Sequence, residues 1–119
     1  MRYETIIHKL NSFKKLDDNW DGHGAKKFET SYIEYVNKCI LQLNYAREIF
    51  PLPNGTVIVT VDKREHKKQL KYYIEMNFYK DFSIEISVVD SEYNEYDYLV
   101  NKDGIGKVNE ILQKYMEGK

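Results

Sequence analysis

From Tyr3 to Leu16 the apolar residues Ile6, Ile7, Leu10, Phe13 and Leu16 recur every three or four positions, the spacing of one stripe on an α-helix. A short amphipathic helix is predicted there. It gives way to Asp17-Asp18-Asn19-Trp20-Asp21-Gly22-His23-Gly24, where glycines and Asx residues favour turns and positive φ. A second helix is predicted from near Ser31, whose hydroxyl and Glu34 three residues on match a capping box. Ile33, Val36, Ile40, Leu43 and Ala46 or Arg47 carry its apolar stripe to about Ile49, and Pro51 and Pro53 end it.

The period then changes from helical to two. Pro53-Asn54-Gly55 is a turn, and Thr56 to Val61 is almost wholly β-branched, as a buried strand would be. After a basic stretch, Leu70, Tyr72, Ile74, Met76 and Phe78 alternate with Lys71, Tyr73, Glu75, Asn77 and Tyr79. Beyond a tight turn at Lys80-Asp81, Phe82, Ile84, Ile86 and Val88 alternate with Ser83, Glu85, Ser87 and Val89. The pair reads as a hairpin with one buried face. Glu95 to Val100 makes a further strand with Tyr96, Tyr98 and Val100 on one side, and Asn101-Lys102-Asp103-Gly104 turns the chain again. Ile105, Val108, Ile111, Leu112, Tyr115 and Met116 return to helical spacing.

The predicted order is ααββββα, a single α+β domain over residues 1–119 in which two N-terminal helices and one C-terminal helix cover a four-stranded antiparallel meander. A chain of 119 residues can bury a core of its own. No run approaches the roughly 18 apolar residues of a membrane span, and residues 1–9 lack a secretory apolar core. One cysteine, Cys39, cannot form an internal bridge. Together these lead to an expectation of a cytoplasmic protein without membrane association.

Charge narrows the functional classes. A net charge of −1 gives no general attraction for nucleic acid. The basic run from Lys63 to Lys71, with Tyr72 and Tyr73 beside it, keeps an RNA-binding module open, although a solvated hairpin loop accounts for it as well. The loop at Asn19, Trp20, Asp21, Gly22, His23 and Gly24 is the densest polar cluster. It begins like a calcium loop, but the twelfth position from Asp17 is Phe28 where a bidentate glutamate is required. Asp21 and His23 could pair as acid and base, which would centre an enzyme or small-ligand site on this loop; turn chemistry explains the same residues. His8, His23 and His66 are scattered, Cys39 falls on an apolar helix face, and neither Gly22-x-Gly24 nor Gly104-x-Gly106 completes a phosphate-binding fingerprint. No metal, no cofactor and no catalytic set is expected. Tyr73, Glu75, Tyr79, Glu85 and Asp97, by contrast, should point together from the uncovered side of the sheet. Tyrosines among carboxylates suit a surface that docks a basic protein partner, and eleven tyrosines are many for this length.

The run Asn19-Trp20-Asp21-Gly22-His23-Gly24-Ala25, with a helix after it and then Pro51-Leu52-Pro53-Asn54-Gly55, resembles a group of small uncharacterised bacterial proteins. Their pattern is N-W-D-G-x-G-A, a helix, and a Pro-x-Pro-[DN]-Gly turn leading into a strand. The likeness spans roughly residues 16–61. This chain has Val61-Asp62 where members often carry a tryptophan. The resemblance brings no established activity, and some members occur in mobile or defence-associated bacterial contexts; the lack of a catalytic set together with the tyrosine-acid face leads to a non-enzymatic, stoichiometric binding protein of a bacterium or its phage, of the antitoxin, immunity or defence-accessory kind. That is the function expected first, ahead of the loop-centred and RNA-binding alternatives.

Overall fold

The computed structural model describes residues 3–64 and 70–118. Helix α1 runs Glu4–Ser12 and tightens into a 3-10 turn at Phe13–Lys15. Helix α2 spans Thr30–Gln42 and α3 spans Ile105–Met116. Between them lie β1 (Glu48–Pro51), β2 (Val57–Arg64), β3 (Leu70–Phe78), β4 (Ile84–Asp90) and β5 (Glu95–Val100). All neighbours are antiparallel and the spatial order equals the chain order, so the sheet is a five-stranded meander.

The α+β meander agrees with the sequence reading, but the strand number does not. Glu48–Pro51 is the first strand, where the apolar stripe predicts the end of a helix. Leu43 leaves the helical conformation (φ −73°, ψ 138°), and Ile49 then pairs with Val59 and is buried. Leu43 and Ile49 are both buried, as a helical stripe requires, but one closes a helix and the other faces inward from a strand. Pro51 is tolerated because an edge strand can spare an N–H. The capping box is also absent: α2 starts after Glu29, with no side-chain cap, so Ser31 already lies within its first turn. Phe82 is likewise outside its predicted strand and sits in the turn before β4.

Strand alternation sorts the side chains onto two faces. Ile49, Val59, Met76, Ile86 and Tyr98 form one inner row, and Val57, Phe78, Ile84 and Val100 another. These join Leu10, Ile33, Val36, Ile40, Val108 and Leu112 of the helices in one apolar cluster. Cys39 is buried in it, and burial pushes its thiol pKa up.

Tyr32 pins helix to sheet. Its buried hydroxyl donates to the Phe78 carbonyl at 2.6 Å and accepts the Val57 N–H at 2.8 Å, bridging two residues that face each other across β2 and β3. Burial raises its pKa, so the hydroxyl stays protonated as a donor.

Three hairpins share one loop geometry. In each, a three-residue loop is closed by two backbone hydrogen bonds: between Leu52 and Gly55 and Thr56, between Tyr79 and Phe82 and Ser83, and between Asp90 and Tyr93 and Asn94. The last loop residue is left-handed every time, Gly55 at φ 84°, Phe82 at 71° and Tyr93 at 66°, as in a type I turn followed by a G1 bulge. Only the first uses glycine, the residue this conformation favours. Phe82 is compensated by its ring, which stacks on Tyr35 at 4.2 Å. Tyr93 is 89% exposed and has no such packing.

Tyr93→Gly is therefore expected to stabilise the fold by roughly 0.5–1 kcal/mol, and Phe82→Gly to destabilise it, both read from urea unfolding. Tyr32→Phe strands a buried N–H and a buried carbonyl and should cost about 1–3 kcal/mol in the same assay.

Candidate partner-binding face

The helices lie on one side of the sheet, and the strand register assembles the other. Glu48, Thr60, Glu75, Ser87 and Asp97 fall in one row across all five strands. A flanking row holds Phe50, Ile58, Asn77, Glu85 and Leu99; the opposite one holds Asp62, Tyr73, Val89 and Glu95. Tyr73, Glu75, Glu85 and Asp97 thus share this face, and Tyr79 joins them from the turn after β3.

Hydroxyls hold these carboxylates in place. Tyr73 donates to Glu75 at 3.1 Å, Tyr79 to Glu85 at 2.5 Å and Ser87 to Asp97 at 2.7 Å. A neutral donor orients a carboxylate without cancelling its charge, and among the described residues no cation pairs with Glu75, Glu85 or Asp97. Burial and then the Glu75 charge push the Tyr73 phenol up to about 12. The hydrogen bond to Glu85, followed by burial, raises Tyr79. Both phenols keep their protons near neutral pH.

The sequence reading missed part of this face. Glu48 falls within the predicted helix, which runs to about Ile49, whereas in the structure Glu48 and Phe50 lie on this face of β1 with Ile49 buried on the other. The sequence reading puts Arg47 at the end of a helical stripe and Arg64 in the basic run, and pairs neither with Asp62. Their guanidiniums grip the two oxygens of Asp62 at 2.7 and 2.8 Å. Burial works to raise the Asp62 pKa, but the hydrogen bonds and charge of Arg47 and then Arg64 outweigh it and leave the carboxyl below its ordinary value. Beside this pair a shallow recess of about 190 Å³ opens between Glu48, Thr60, Leu70 and Tyr73. Of the basic run, Lys63 and Arg64 end β2 while Leu70 and Lys71 begin β3; residues 65–69 lie outside the described residues.

The loop motif is built as a knot of local hydrogen bonds. Asn19 adopts φ 66°, with Gly22 and Gly24 at 77° and 86°. The Asn19 side chain accepts the Gly24 N–H at 2.6 Å, Asp21 accepts those of His23 at 2.8 Å and Ala25 at 3.0 Å, and Asp18 accepts that of Lys27 at 3.1 Å. Trp20 donates its indole N–H to the Lys26 carbonyl at 2.8 Å and stacks on Phe28 at 6.1 Å. His23 is exposed, and Asp21 meets its backbone. The loop also abuts the later turn: the Lys26 N–H reaches the Pro53 carbonyl at 2.7 Å, and a Cβ on Gly55 would lie 3.2 Å from the Lys27 carbonyl. The two halves of the sequence pattern therefore touch.

No family model matches the chain, and neither a curated protein nor a solved structure does.

The amide of His23, foremost, and then that of Ala25 hold Asp21 below its ordinary carboxyl value. A depressed folded pKa means that the stabilisation is whole above the unfolded value of about 3.9 and is lost as pH falls through the lower folded value. The urea midpoint of Asp21→Ala should accordingly lie below that of the parent at pH 7, and the gap should narrow as the pH falls from about 3.9 through that folded value.

Proposed function

We propose that this chain is a binding protein that docks a basic partner protein on the uncovered face of its sheet, in the stoichiometric manner of antitoxins, immunity proteins and defence accessories. One observation carries the reading: the register draws Glu48, Glu75 and Asp97 into a single row, with Glu85 and Glu95 in the rows beside it. The five side chains come from four strands, yet they present one sign of charge on a rigid platform. Arg47, Arg64 and, by strand parity, Lys71 are the counterweight, and Asp62 engages the two arginines. Apolar and aromatic groups stand among the acids, with Phe50 40% exposed, Tyr73 36% and Leu99 67%. Charge complementarity steers a partner, and desolvated aromatic anchors hold it.

The loop around Trp20, Asp21 and His23 supports an enzyme or small-ligand reading less well. Asp21 spends an oxygen on backbone amides, and Trp20 is packed against Phe28. The likeness of this loop and the Pro53 turn to small bacterial proteins fits a binding role in such a cell and belongs to the same proposal.

The test uses a partner co-purified from the native host and then prepared pure. Its affinity for the chain, measured by calorimetry, should fall at least tenfold in the double variant Glu75→Lys, Glu85→Lys and should weaken as salt rises. The thermal midpoint should stay near that of the parent. Equal affinity in parent and variant would reject the face.

A further inference from the structure

The two edges of the sheet are not alike. β1 has four residues and ends in a proline, which leaves little to pair with. β5 has six, and among the described residues it pairs with β4 alone. Which of its backbone groups are spare follows from the ladder. The Asp90 N–H bonds to the Asn94 carbonyl at 3.0 Å, and antiparallel pairs alternate between bonded and non-bonded. Tyr96, Tyr98 and Val100 therefore pair back to Val88, Ile86 and Ile84, while Glu95, Asp97 and Leu99 turn N–H and C=O outward. Those three residues also carry their side chains on the open face. Tyr96 and Tyr98 point to the other side, within 6.2 and 6.1 Å of the Tyr115 ring.

We propose that β5 accepts, as a sixth strand, an extended segment of a partner protein in which lysine or arginine alternates with apolar or aromatic residues. This rests on the reading of the sheet face as a partner-binding surface and specifies how the partner engages it. An added strand gains main-chain hydrogen bonds from the edge and its selectivity from alternate side chains. Here the alternation is set by β5: a cation falls beside Glu95 and Asp97 on the open face, and an apolar side chain falls beside Tyr96 and Tyr98. Cross-strand pairs of opposite charge are favourable, and like charges directly opposite are not.

The same rule disfavours a second copy of this chain. Two β5 strands joined antiparallel must match open face to open face, which leaves two registers that each overlap five of the six residues. One sets Asp97 against Asp97. The other sets Asp97 against Leu99 and leaves the two Asp97 side chains diagonal neighbours.

The probe is a fluorescent ten-residue peptide alternating lysine with valine and tyrosine, titrated into the full chain by anisotropy. Saturable one-to-one binding is expected, with slowed amide exchange at Glu95, Asp97 and Leu99. Leu99→Pro deletes an outward donor, leaves the charge unchanged and spares the β4 ladder; it should weaken binding at least tenfold. Asp97→Lys should switch preference to the peptide carrying glutamate for lysine. A peptide N-methylated at alternate amides should fail to bind the parent, a check that does not depend on any variant folding. No saturable binding, or equal binding by the N-methylated peptide or by a folded Leu99→Pro variant, overturns strand addition. The purified native partner separates the two ideas. Sensitivity to Glu75→Lys, Glu85→Lys without sensitivity to Leu99→Pro rejects the strand and keeps the face, and insensitivity to both rejects both.

Discussion

A sheet that is apolar on one side must have that side covered, and the rest of this molecule follows from that requirement. Ile74, Met76, Phe78, Ile84, Ile86 and Val88 are all but inaccessible to water, each contributing about 1.5–3 kcal/mol relative to exposure. The chain supplies the cover from both ends: α1 and α2 before the strands, α3 after them. Because the helices all pack on that side, none of them covers the opposite side. The surface proposed to bind a partner is thus a by-product of the packing that creates the core.

The loop between the first two helices shows how a polar motif can serve architecture. Asn19, Asp21 and Asp18 each take backbone amides of the chain that follows, groups that would otherwise need water. Trp20 anchors the loop by ring and by indole N–H. Lys26 then ties it to the Pro53 carbonyl, at the point where the meander begins. Tyr32, in the first turn of α2, fastens the opening of β2. Together these contacts link the helical half of the chain to the β half at one corner, and left-handed backbone angles at Asn19, Gly22 and Gly24 give the loop its shape.

The uncovered face combines a fixed backbone with side chains kept in position by neutral partners. Tyr73, Tyr79 and Ser87 orient carboxylates without neutralising them, so the face retains its charge while its geometry is restrained. That is an economical platform for recognition, because little side-chain freedom is left to lose on binding. At the β5 edge the same alternation offers backbone groups as well as charges, which joins the face and the edge into one continuous binding surface in the proposals made above.

Alternation of apolar and polar residues made the hairpins of β3, β4 and β5 legible, because side-chain direction in a strand is a local property with period two. Helices α1 and α3 were legible for the same reason at their own period. Tyr73, Glu75, Glu85 and Asp97 could be put on one face from parity alone. What parity cannot supply is the partner of each strand. Only the register aligns Glu48, Glu75 and Asp97, brings Arg47 and Arg64 onto Asp62, and makes β5 an edge. The short strand at Glu48–Pro51 escaped the pattern because four residues hold too little periodicity to compete with an apolar spacing that also fits a helix. Pairing with β2 decided it, since Ile49 is buried only when Val59 lies across from it. Local chemistry determined which way each side chain faces, and long-range pairing determined what it faces, because hydrogen bonds between strands join residues that no sequence window contains.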